Sequence, residues 1–145
     1  MNPRNYEITY IAIIERKGNW TGKEGKGFHQ AVYIKAGGKH YMAHFSTDDI
    51  TNRQAVFFEI SGPITRDNKT KFNGNWEIID DSNCDTGTTI GQILRIQYNT
   101  SWTLDNNCAS FARKAYEMAS GHPIKALQEC GEMLSRAYNM NVGLK

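Results

Sequence analysis

The chain carries three cysteines, Cys84, Cys108 and Cys130, and four histidines, a set suited to thiol chemistry. Cys108 follows Leu104-Asp105-Asn106-Asn107, a run that supplies N-cap residues, and opens a segment of helical composition ending near Ser120. A thiol at the start of a helix meets free backbone N–H groups and the positive end of the helix dipole. Both favour the thiolate, which is the nucleophilic form, and the same N–H groups can hold the oxyanion formed when a carbonyl is attacked. Cys108 is therefore the candidate nucleophile. The bland alternative is a buried cysteine that only packs.

A thiol needs a base, and the histidines of one hairpin can supply it. Phe28 to Lys35 reads as a strand, Ala36-Gly37-Gly38-Lys39 as a tight turn in which Gly-Gly supplies positive φ, and His40 to Phe45 as the returning strand. With the turn centred on Gly37-Gly38, Ala31 faces His44 and His29 faces Ser46. His29 and His44 are then diagonal neighbours on one face, about 7–8 Å apart at Cα and within reach of two imidazoles. His40 shares that face but lies about 13 Å further along the strand from His44. His44 rather than His40 is thus placed to orient His29. A metal site is not expected: His40 and His44 stand at i, i+4 on a strand, a spacing that joins ligands on a helix, and no neighbouring Glu or Cys completes a set.

Other elements must hold this hairpin and helix together. Tyr6 to Glu15 reads as a strand buried on both faces, Lys17 to Lys26 as a glycine-rich loop, Ala55 to Ile60 as a strand ended by Gly62-Pro63, Asp67 to Lys71 as a turn and Trp76 to Ile79 as a short strand. Asp80 to Thr88 reads as a polar loop and Thr89 to Tyr98 as a helix. In the helix after Cys108, the apolar stripe Phe111, Ala115 and Met118 is expected to face the core; Gly121-His122-Pro123 stops it, and Ile124 to Tyr138 reads as a last helix. A sheet from the first half with helices from the second is an α+β fold in a single domain spanning residues 1–145.

Composition narrows the function classes. Apolar residues make up 39% of the chain, enough for a packed core, and the net charge of +2 comes from interspersed charges that give no footprint for nucleic acid. The longest apolar run, Tyr10 to Ile14, is far short of a membrane span, so stable membrane insertion is not expected. The first residues show no charged segment followed by an apolar one, which reads as synthesis in the cytoplasm with any export through a dedicated route. Odd, sparse cysteines without a CxxC pair do not form a disulfide framework or a structural zinc site, and Cys84 and Cys130 are expected to be unbonded and dispensable.

Phe28-His29-Gln30-Ala31-Val32-Tyr33-Ile34, the glycine turn and Tyr41-Met42-Ala43-His44-Phe45 resemble the histidine hairpin of the lecithin retinol acyltransferase-like proteins. Asn107-Cys108-Ala109-Ser110-Phe111-Ala112 resembles the Asn-Cys-x-x-Phe motif that opens their nucleophile helix. These proteins belong to the circularly permuted branch of the NlpC peptidase superfamily, in which His precedes Cys as it does here. The resemblance implies a papain-like fold of the permuted NlpC type, a triad of Cys108, His29 and His44, and no cofactor. The hairpin is a few residues longer than usual in that family, which leaves His44 against His40 open as the third residue.

The leading expectation is a cysteine hydrolase (an amidase or peptidase) that cleaves an amide in a peptide or a peptidoglycan stem. By analogy with the wider superfamily this fits an antibacterial effector toxin, for which an immunity protein would be the partner. One alternative is a lipid-acting acyltransferase or phospholipase of the same fold; against it, the residues after Gly121 include Lys125, Glu129, Glu132 and Arg136 and lack the apolar anchor typical of lipid-acting relatives. The other is a non-enzymatic interaction module in which Cys108 and His29 are structural.

Overall fold

A computed structural model of the chain describes residues 2–18, 27–45, 55–65, 76–97 and 108–123. Their elements run, in chain order, β1 (Ile8–Gly18), β2 (Gly27–Ala36), β3 (Lys39–His44), β4 (Val56–Ile60), β5 (Glu77–Asn83), α1 (Ile90–Leu94) and α2 (Cys108–Ser120), with 3-10 turns at Pro3–Asn5 and Arg95–Gln97. The strands form one five-stranded sheet in the order β4-β3-β2-β1-β5, antiparallel throughout. The fold is α+β, as the sequence indicates. The expected turn at Asp67 to Lys71, the N-cap run before Cys108, the helix Ile124 to Tyr138 and Cys130 lie outside the described residues.

β1 lies between β2 and β5 in the sheet and is apolar on both faces: Ile11, Ala12, Ile13 and Ile14 are all fully buried. β-branched side chains suit a pleated strand, and burying each contributes about 1.5–3 kcal/mol. The pleat sends them to two separate cores. Ile11 and Ile13 join Val32, Ile34, Phe45, Phe111, Ala112, Ala115 and Tyr116 under the helices. Ala12 and Ile14 join Ala31, Tyr33, Met42, Ile60, Ile64 and Trp76 on the other face.

The hairpin forms in the expected register. Val32 pairs with Ala43, Ile34 with Tyr41 and Ala36 with Lys39, leaving Gly37 and Gly38 as the two-residue turn. Both have positive φ, 59° and 74°, the conformation of the turns that match strand twist. At Gly37 a Cβ would also lie 2.6 Å from the Tyr6 ring, so glycine is required twice over. α2 ends where Gly121 takes φ 80° and its N–H donates to the Glu117 carbonyl at 3.0 Å, an αL stop.

Four expectations need correcting. β5 does not end at Ile79 but runs to Asn83, because Asp80 to Asn83 pair with Ile13 to Tyr10 of β1 and Tyr10 Oη donates to Asp81 at 2.7 Å. Pairing overrides the low strand propensity of Asp and Asn, and only Asp80 among these residues is buried. β1 continues to Gly18, so Lys17 and Gly18, expected in a loop, belong to the strand. In α2, Met118 is 44% exposed rather than facing the core; the buried stripe is Cys108, Phe111, Ala112, Ala115, Tyr116 and Ala119. That stripe lies one residue round the helix from the expected one, since Ala119 rather than Met118 continues the i, i+4 row from Ala115. The helix expected from Thr89 is shorter: α1 has a Thr89 N-cap whose Oγ1 accepts from Gln92 N–H, and a 3-10 turn follows.

Candidate functional site

The hairpin brings the two chosen histidines together. His29 Nε2 and His44 Nδ1 are 3.0 Å apart, with ring centroids 5.0 Å apart and planes at 88°. Between two imidazole nitrogens one must donate and the other accept. If His29 Nε2 donates, the lone pair of His29 sits on Nδ1 and that nitrogen is the base; His44 then plays the orienting part. Rings wall the pair in: Trp76 lies 5.9 Å from His29, and Phe58 lies 6.1 Å from His44. His29 is buried and His44 half-buried.

His40 has a different partner on the same face. Its Nδ1 is 2.7 Å from Tyr33 Oη, and the rings stack at 12° with centroids 5.9 Å apart. Burial pushes the Tyr33 hydroxyl up to about 12, so at neutral pH it is a neutral phenol. Tyr33 in turn meets Tyr10 edge to face at 5.9 Å. His40 is thereby held four residues along β3 from His44.

Cys108 occupies the first described residue of α2 and is buried. Burial raises its thiol above the ordinary value; the backbone at Gln30, Ala109 and Cys108 itself acts in the opposite direction, and the Glu15 carboxylate adds a smaller upward push. The net direction is up, toward the protonated thiol. N–H groups converging on a sulfur are the geometry expected of a first helical turn. They are also the groups that would hold a thiolate or an oxyanion.

The structure brings together two of the three expected site residues and not the third. Along β2, side chains alternate: Gln30 shares the face of Val32 and Ile34 beneath the helices, while His29 shares that of Ala31 and Tyr33. Cys108 lies on the helix stripe that packs against the first of these faces. The backbone of Gln30, the residue next to His29, is among the groups that act on its thiol, and alternation sets the Gln30 and His29 side chains on opposite faces of β2.

Cys84 is half-buried at the end of β5, its Sγ 3.7 Å from the Ser82 carbonyl. Burial, then the Asp85 carboxylate, pushes its thiol up to about 11, so it is a poor nucleophile. Burial is the larger cause, where the sequence points only to the flanking acids. Sequence spacing does not single out Trp76, Phe58 or Glu15, which border the site from the approach to β5, from β4 and from β1. The period-2 pattern of β1 is the one available signal, since it sets Glu15 on the face of Ile11 and Ile13. No group of three or more metal-ligating side chains is present among the described residues. No helix among them is long and apolar enough to cross a membrane. No protein-family model, curated protein or solved structure matches the chain.

Proposed function

We propose that the protein is a cysteine-dependent hydrolase of amide bonds, with Cys108 as nucleophile, His29 as base and His44 as the residue that orients it, in a papain-like domain of the permuted NlpC type. The observation that carries this reading is the 3.0 Å contact between His29 and His44, which holds one imidazole against another and, in the tautomer where His29 Nε2 donates, leaves a lone pair on His29 Nδ1. The thiol supplies the second half: it lies one residue away, at the backbone of Gln30 and among N–H groups suited to an anion.

The chemistry follows from these roles. His29 takes the thiol proton, the sulfur attacks the carbonyl carbon, and backbone N–H groups hold the oxyanion. The C–N bond breaks as His29 returns the proton to the departing amine, leaving a thioester. His29 then takes a proton from water, whose oxygen attacks the thioester and releases the acid and the thiol. Turnover requires the Cys108 thiol to meet His29 Nδ1, since burial favours the protonated thiol and a base must take its proton. The substrate class is a peptide amide, including peptidoglycan stem peptides, as for an effector that acts on the cell wall.

A second reading is favoured by one observation. The burial of Cys108 and its place across β2 from His29 suit a packing cysteine in a non-enzymatic module. One experiment separates the readings: incubation with purified sacculi and, separately, with phosphatidylcholine vesicles, each beside Cys108→Ala. New amine ends from sacculi that vanish in Cys108→Ala are expected. Released fatty acid with intact sacculi would move the same residues to a lipid substrate, and inertness toward both, matched by Cys108→Ala, would favour the packing cysteine.

A further inference from the structure

A cleft of about 470 Å³ opens between the 3-10 turn Pro3–Asn5, the first turn of α1 and Ala55 at the start of β4. Its volume lies within the range of small-ligand pockets, about 300–1,000 Å³. Its wall includes Arg4, Arg95, Asn2, Asn5 and Gln92, and no carboxylate lines it among the described residues. Two arginines thus border one space with no described acid beside them. Neither makes an ion pair among the described residues. Arg4 lies over the Phe57 ring, 4.9 Å from its centroid. That contact anchors the Arg4 side chain beside the cleft while leaving its charge unpaired by an acid among the described residues.

The neutral groups of the wall are biased the same way. Asn2 Oδ1 already accepts from Arg4 N–H at 3.0 Å, and Gln92 Oε1 accepts from Thr89 N–H at 2.9 Å. The Thr89 hydroxyl accepts from Gln92 N–H at 3.3 Å. With these oxygens engaged inside the protein, the side chains offer the cleft their N–H groups. A space bordered by donors and like charges is complementary to an acceptor that carries negative charge.

We propose that this cleft binds a small molecule through a phosphate or carboxylate group, clamped by Arg4 and Arg95. The inference does not rest on the role of Cys108. The test is an amide NMR titration of the full chain at constant ionic strength, with pyrophosphate in one arm and citrate in the other. Saturable shifts are expected at Thr89, Gly91 and Gln92. Arg4→Gln and Arg95→Gln, both at exposed positions, should each weaken binding by about tenfold or more, while Arg113→Gln on α2 should not. Tighter binding of pyrophosphate assigns a phosphate ligand and tighter binding of citrate a carboxylate. Absence of saturable shifts with either probe at millimolar concentration, or shifts that persist unchanged in both arginine variants, would overturn the proposal.

Discussion

The two faces of the sheet are built from the same strands to different ends. Beneath the helices lie Ile11, Ile13, Val32, Ile34 and Phe45, large side chains that interlock with Phe111, Ala112, Ala115 and Tyr116. The opposite face carries Ala12 and Ala31, and among them rings with polar atoms in specific contacts: His29 with His44, His40 with Tyr33, and Tyr10 with Asp81. The first face has the makings of stability; the second holds imidazoles at fixed distances. Small residues leave room for rings to meet, and one nitrogen of each imidazole and the hydroxyls of Tyr33 and Tyr10 find partners there. The difference teaches that period-2 alternation in one pair of strands can separate packing from chemistry. It also exposes the central tension, because the candidate nucleophile stands on the packing side and its base on the other.

The largest expected effects test whether the faces cooperate. Cys108→Ala should abolish amide cleavage, and retention of more than about a tenth of turnover, a difference of only about 1.4 kcal/mol, would exclude the thiol mechanism. His29→Ala should cost about 10²–10⁴-fold in kcat, with circular dichroism unchanged. On the helix face the effect should fall on stability: Phe111→Ala, at a fully buried site, should lower the unfolding free energy by about 3–5 kcal/mol in urea titration.

Smaller effects sharpen the contrast within the histidine face. His44→Ala should reduce turnover less than His29→Ala and move the acidic limb of the pH–rate profile, because it alters the base without removing it. His40→Ala should leave turnover almost unchanged and cost about 1 kcal/mol of stability through its lost bond to Tyr33. A reversal of these two would exchange the assignment of His44 and His40. Smallest is a pH effect at Cys84. Its folded thiol is raised to about 11 from 9.0, so the folded state holds the proton more tightly than the unfolded chain. The stability it contributes is fully present below pH 9 and is lost as pH rises toward about 11. Urea midpoints across that range should therefore fall less steeply in Cys84→Ala than in the unaltered chain.

Much of the arrangement was legible in the residues because local chemistry is decisive there. Gly37 and Gly38 specify a two-residue turn, and the turn alone fixes the register that sets His29 beside His44. β5 was not legible past Ile79, since Asp80 to Asn83 are held by pairing with β1 and by Tyr10 rather than by propensity. Thr89 and Gln92 carry a capping signature that marks the start of α1, though not how soon it tightens into a 3-10 turn. The face covered by α2 was the costliest omission. Alternation along β2 separates His29 from Gln30 on sight, but a period says nothing of which side a distant helix will cover. Side-chain bulk does not decide it either, since the helix face carries Ile11, Ile13, Val32 and Ile34 and the other carries Ile14, Tyr33, Met42 and Trp76.

The claim that Cys108 and His29 act together is tested most directly by the alkylation rate of Cys108. Folded protein and His29→Ala would be treated with iodoacetamide at pH 6, where an ordinary thiol of pKa about 8.5 barely reacts, and the Cys108 peptide followed by mass spectrometry. If the thiol reaches the histidine face, Cys108 is labelled in the unaltered chain and labelling slows markedly in His29→Ala, because the imidazole that takes its proton is gone. Labelling that is equally slow in both proteins, and quickens only when urea unfolds them, would contradict the account and leave Cys108 as a packing residue of the helix face.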